Sequence, residues 1–211
     1  MVAHGSKGMA HLGRVAFRGY DGSVAPFAPT ETPHSIMTQR PPFIVSTTDL
    51  PERTHVYPQS DEPMGPVRKA GKAAGLERIG INLQRLPPGS RSSWPHAESD
   101  EEEFVYVIAG QVDAWIDGEI FRVGPGDLVA FPAGTGISHC FINNAQEEAL
   151  LLVGGEAAKP SNRILYPVNP SRREDMDASE WWHDAPPRAL GPHDGLPDTL
   201  RTSAAQAANR G

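Results

Sequence analysis

Cysteine is almost missing from this chain: of 211 residues, only Cys140 carries a thiol. One cysteine allows no intrachain disulfide and excludes a Cys-rich zinc site. A basic surplus is missing too. The formal net charge is −7, whereas a nucleic-acid partner needs a positively charged face to meet phosphates. No apolar run is long enough to span a bilayer, and the N-terminus lacks the apolar stretch of a secretory signal. Neither nucleic acid nor membrane is expected as a partner, and a cytoplasmic location is the default.

What the chain has in excess is punctuation. Gly and Pro number 21 each, which suits short strands joined by many turns and argues against a helical bundle. The length fits one domain with extensions. Residues 1–40 have no apolar periodicity and read as a flexible extension. Its histidines His4, His11 and His34 read as solvated, and Met37 is an alternative start. Phe43-Ile44-Val45 reads as a first short strand, and Val67 to Leu76 as one or two helical turns. Alternation then begins: Ile79, Ile81 and Leu83 face one way, Gly80, Asn82 and Gln84 the other. Further strands are expected at Phe104–Ile108, Val112–Ile116, Ile120–Val123, Leu128–Phe131, His139–Ile142 and Ala149–Val153. Asp117-Gly118 between two of them is a hairpin signal. Short strands at this spacing predict an all-β sandwich or barrel over residues 41–158. From Lys159 to Gly211 the chain is Pro-rich, with Trp181-Trp182 able to dock and the last stretch, from Arg201, disordered.

Chemistry concentrates between Gly89 and Gly110. His96 and Glu98 stand two apart, so on a strand they share a face. An acidic run, Asp100 to Glu103, leads into an apolar strand. Gly89, His96, Glu98, Glu103 and Gly110 resemble the first motif of the cupin superfamily, G-x5-H-x-H-x(3,4)-E-x6-G. Gly126, Pro132, Gly134, His139 and Asn143 resemble the second, G-x5-P-x-G-x2-H-x3-N. One extra residue follows Gly89, Glu98 stands where the motif has histidine, and the loop before His139 is two residues longer. The resemblance implies a double-stranded β-helix, or jelly-roll barrel, with irregular N- and C-terminal extensions. It also implies that His96, Glu98, Glu103 and His139 converge on one divalent metal ion: zinc, manganese or iron.

Two imidazoles and two carboxylates would formally cancel the charge of such an ion. That set favours harder metals and makes the ion a weaker Lewis acid. Glu98 is also a candidate general base, since a carboxylate beside an ion can move protons. Asp100, Glu101 and Glu102 read as solvent-facing. Cys140, next to His139 on a strand, points away from the ion and reads as a buried apolar residue. Trp94, Tyr106 and Trp115 read as packing residues, Asn143 as a turn support, and His183 and His193 as surface residues. The function expected is a metal-dependent enzyme acting on a small polar metabolite, of dioxygenase, isomerase, lyase or hydrolase class. The alternative is a non-catalytic small-molecule or sugar-binding barrel, its metal structural or absent. A homodimer is expected from the barrel edges and the Trp-bearing tail.

Overall fold

A computed structural model describes residues 39–201. The expectations for residues 1–38 and 202–211 lie outside that range. Ten strands and one short helix follow in order: β1 (Val67–Arg68), α1 (Ala70–Ala73), β2 (Ile79–Leu86), β3 (Ala97–Glu98), β4 (Glu103–Ala109), β5 (Val112–Ile116), β6 (Glu119–Val123), β7 (Leu128–Phe131), β8 (His139–Ile142), β9 (Ala149–Glu156) and β10 (Ile164–Leu165). They form a five-stranded sheet β1-β2-β9-β4-β7, a three-stranded sheet β6-β5-β8 and a two-stranded ribbon β10-β3. The ladders between these strands are antiparallel. The all-β jelly-roll architecture expected from the sequence is the one the chain adopts.

Local chemistry sets the turns. Asp117 (φ 48°) and Gly118 (φ 87°) both take left-handed backbone, as a two-residue turn between twisted strands requires. The Asp117 carboxylate then accepts from Ser138 N–H at 2.9 Å and Arg188 Nε at 2.6 Å. The hairpin is thereby tied both to β8 and to the C-terminal segment.

The main core lies between the two larger sheets. Leu86, Val105, Val107, Phe131, Phe141 and Leu151 are buried there. Strand parity explains the set: Glu103, Val105 and Val107 share the inward face of β4, while Tyr106 is 37% exposed on the other. On β8, His139 and Phe141 face inward. Cys140 and Ile142 face outward with Trp115 into a second cluster. That cluster is covered by the tail, whose His193 carbonyl accepts from Trp115 Nε1 at 2.8 Å. The buried Cys140 thiol is pushed up to about 12 by desolvation. It is a packing residue, as the alternation predicted.

Three expectations need correction. Phe43-Ile44-Val45 forms no strand. It follows Pro41-Pro42, which offer no N–H donors, and Phe43 is 68% exposed. The inward face of β2 is the even one: Gln84 and Leu86 are buried, whereas Ile79 is 52% exposed. Pairing decides this, because Leu86 lies opposite Ala149 and Gln84 opposite Leu151. The apolar odd face is partly covered from outside by α1, where Gly71 packs close to Ile81. Finally, His193 is half-buried and joined by its backbone to Gly118, so it is not a surface tail residue.

Candidate metal centre

Three routes through the fold bring the site together. His96 forms an isolated bridge with His139, closed by backbone hydrogen bonds of 3.2 and 2.8 Å in the two directions. That bridge sets the two imidazoles side by side, with ring centroids 5.0 Å apart. Glu103 opens β4 on the inward face and lies opposite Phe131 of β7. The Phe131 ring stacks on His139 at 3.5 Å with a 5° interplanar angle. The result is a cluster of His96, Glu103 and His139, whose potential ligand atoms lie within 4.8 Å of one another.

The donor set fits a metal ion. His96 Nδ1 donates to the Trp94 carbonyl at 2.8 Å, which leaves Nε2 as the ligating nitrogen. His96 Nε2 and His139 Nε2 both turn to Glu103 Oε2, at 3.7 and 3.1 Å. His139 Nδ1 is buried and makes no hydrogen bond, and without an ion the Nε2 proton is given to Glu103 Oε2 at 3.1 Å, a proton that a bound metal would replace. Two imidazoles and one carboxylate suit a borderline or hard divalent cation.

The metal-free electrostatics follow from crowding. Burial pulls His96 down, but the Glu103 carboxylate 3.7 Å away and the charge of Glu98 outweigh it and lift it to about 9. Burial pushes Glu103 up, and the hydrogen bond from His139 together with the nearby His96 imidazole overcomes this and holds it well below the carboxylate range. His139 is lowered by burial, against the pull of Glu103. Without an ion, His96 therefore carries the positive charge that Glu103 answers.

Glu98 stands beside this cluster and is not one of its three members. Its Oε1 is 3.8 Å from His96 Nε2. Desolvation raises its carboxyl to about 7, against the lowering effect of His96 and of a hydrogen bond from Asn162. Asn162 belongs to the C-terminal segment, where no motif marked it. That segment is a wall of the site: β10 pairs with β3, placing Ile164 opposite Glu98. Tyr166 follows, its ring 5.8 Å from His96 and packed with Tyr57, Trp94 and Trp181. Strand parity could have found Phe131; Asn162 had no signal in the sequence.

The acidic run divides differently from expectation. The Asp100 carboxylate accepts from the Ser161 hydroxyl and, at 3.5 Å, from Lys159 Nζ, and Glu101 accepts from Lys159 N–H at 2.6 Å. These two side chains fasten the C-terminal segment instead of facing only solvent, whereas Glu102 is exposed. Asn143 is fully buried and donates to the Leu86 and Glu147 carbonyls, so it supports the turn before β9.

Glycines flank Glu103 in the barrel wall. Gly80 pairs with Gly155, and Gly155 with Glu103, so this inward row carries no side chain on β2 or β9. Beside it lies a cavity of about 330 Å³, lined among others by Ile79, Glu102, Glu103, Phe131 and Glu156. That volume is at the lower end of small-molecule sites.

Residues 82–154 match the cupin domain family. A cupin-superfamily sugar phosphate isomerase from Silicibacter pomeroyi is 28% identical, with a TM-score of 0.54, over 72% of this chain and 99% of its own. A protein from Acidithiobacillus ferrooxidans, provisionally described as a sugar phosphate isomerase, is 25% identical, with a TM-score of 0.55, over 60% and 81%. A polyketide cyclase from Streptomyces resistomycificus shares the fold at 22% identity and a TM-score of 0.50, over 64% and 94%. No curated protein matches the chain significantly in sequence.

Proposed function

We propose, on the premise of the cupin domain matched over residues 82–154, a divalent-metal-dependent enzyme that moves a proton on a small, uncharged polar metabolite. The observation that carries this reading is the placement of Glu98: its carboxylate stands 3.8 Å from His96 Nε2, beside a His–Glu–His donor set to which it does not belong, with its other oxygen bonded by Asn162. A carboxylate beside an ion, and not bound to it, can both take and return a proton. His96, Glu103 and His139 would hold zinc, manganese or iron. Such an ion supplies Lewis-acid polarisation of a substrate oxygen.

The two isomerase neighbours support an isomerase-type proton transfer. The cavity beside Glu103 argues against their phosphorylated substrates. Apart from Glu103, which the ion would neutralise, Glu102 and Glu156 line it, and of these two Glu156 has a lysine partner, Lys159 at 2.6 Å. A phosphate would meet like charge there, whereas a neutral hydroxy-carbonyl compound would not. The apolar walls of Ile79 and Phe131 suit its carbon skeleton. The remaining setting is part of the same reading. The single cysteine points to the cytoplasm, and the exposed Tyr106, Ile108 and Leu128 on β4 and β7 point to a homodimer. Among the described residues, no helix is long and apolar enough to cross a membrane.

The test is hydrogen exchange. Metal-loaded protein is incubated in heavy water with a panel of neutral aldoses and ketoses, and deuterium beside the carbonyl is read by NMR. The reading expects incorporation with at least one substrate, lost in Glu98→Gln while metal content is kept. Incorporation indifferent to Glu98→Gln would remove Glu98 from the chemistry. No exchange with any member would favour the non-catalytic binder.

A further inference from the structure

Asn162 is oriented by more contacts than a surface turn needs. Its Oδ1 accepts from Ser99 N–H at 3.1 Å, Asp100 N–H at 3.0 Å and the Ser99 hydroxyl at 3.3 Å. Three donors on one oxygen fix which end of the amide is which. Nδ2 must then face the other way, and it donates to Glu98 Oε2. The backbone is held as firmly. Ser99 N–H donates to the Arg163 carbonyl at 2.9 Å, Arg163 N–H donates to the Ser99 hydroxyl at 2.7 Å, and Glu98 pairs with Ile164 across the β3–β10 ladder. Glu98 is therefore gripped through one carboxylate oxygen and through its own main chain. Its other oxygen, Oε1, stops 3.8 Å from His96 Nε2, at the border of the three-residue donor set.

We infer that Asn162 is a positioning residue that holds Glu98 out of the His96–Glu103–His139 donor set and so keeps its carboxylate free for proton transfer. This rests on the metal-enzyme reading above. It predicts an unusual sign. A purely structural partner would weaken metal binding when removed, as loss of outer hydrogen bonds ordinarily does. Releasing Glu98 instead offers the ion a fourth donor of negative charge, so binding should tighten.

The experiment uses the full chain and cobalt(II) as the probe, followed by its visible absorption. Asn162→Ala removes the hold. Asn162→Asp keeps the shape and the acceptor side but repels Glu98, so it carries the test if the alanine variant folds poorly. Both should bind cobalt(II) about 10-fold more tightly than the parent, the scale on which changes around metal ligands alter affinity. The visible band should weaken as coordination number rises. Adding Glu98→Gln to either variant should cancel the gain. Unchanged or weaker binding in both variants overturns the inference, as does a gain that persists with Glu98→Gln. If the parent itself takes up no cobalt(II), the metal reading falls and this inference with it; the parent titration thus separates the two failures.

Discussion

Two inward glycines in one row of the barrel should respond differently to the same substitution. Gly155 is packed against β4: an added methyl would lie 2.6 Å from the Glu102 carbonyl oxygen and 3.3 Å from Glu103 Cγ. The first contact is with backbone, which can yield only by moving the strand. Overpacking of this kind costs about 1–3 kcal/mol. For a chain of this size, about 2 kcal/mol corresponds to a Tm loss of roughly 4–8 °C. The second contact bears on function, because it displaces the carboxylate to which both histidines turn. Gly155→Ala should therefore lower both Tm and metal affinity. Gly80, its partner across the ladder, is different: an added methyl there would meet nothing closer than the Gly155 carbonyl oxygen at 3.7 Å. Gly80→Ala should leave Tm within about 2 °C and metal affinity unchanged. The assay is thermal melting with and without zinc, together with a zinc competition titration. Equal effects at both positions, or a Gly155→Ala protein of normal affinity, would refute the packing argument.

Other consequences follow from the same contacts. Arg91 is 2% exposed and bonds both Glu62 oxygens and the Gly195 carbonyl. Arg91→Ala leaves Glu62 without its partner and should cost about 3–5 kcal/mol, read by urea denaturation; a loss below about 1 kcal/mol would mean that the pair acts as an exposed one. The metal-free protein should lose Tm as pH rises from 7 to 9. His96 sits at about 9 when folded, above its ordinary 6.5, so its contribution is complete below 6.5 and lost as pH passes 9. Metal takes the place of that proton, so the loaded protein, like His96→Gln, should show a flatter profile; identical slopes in all three would contradict the assignment. Leu128 is 59% exposed, and Leu128→Glu should turn a homodimer into a monomer in sedimentation without lowering Tm. A monomeric parent would end the dimer reading.

Parity was legible where one face of a strand meets the core and the other meets solvent or the tail. Glu103, Val105 and Val107 on β4, and His139 against Cys140 on β8, were readable for that reason. It failed on β2, because α1 covers part of the outer face and Ile81 can be apolar on either side. The acidic run shows a second limit: Asp100 and Glu101 are polar whether they meet water or Lys159, and composition does not distinguish the two. Asn162 shows a third. Its bond to Glu98 spans 64 positions and depends on a two-residue ladder that no periodicity announces.

The central claim is that His96, Glu103 and His139 hold a metal ion. The direct measurement is elemental analysis of protein prepared without an affinity tag or added metal, beside the double variant His96→Gln/His139→Gln. The account predicts about one divalent ion per chain in the parent and almost none in the variant, at matched folding by circular dichroism. Equal metal content in the two proteins would contradict it.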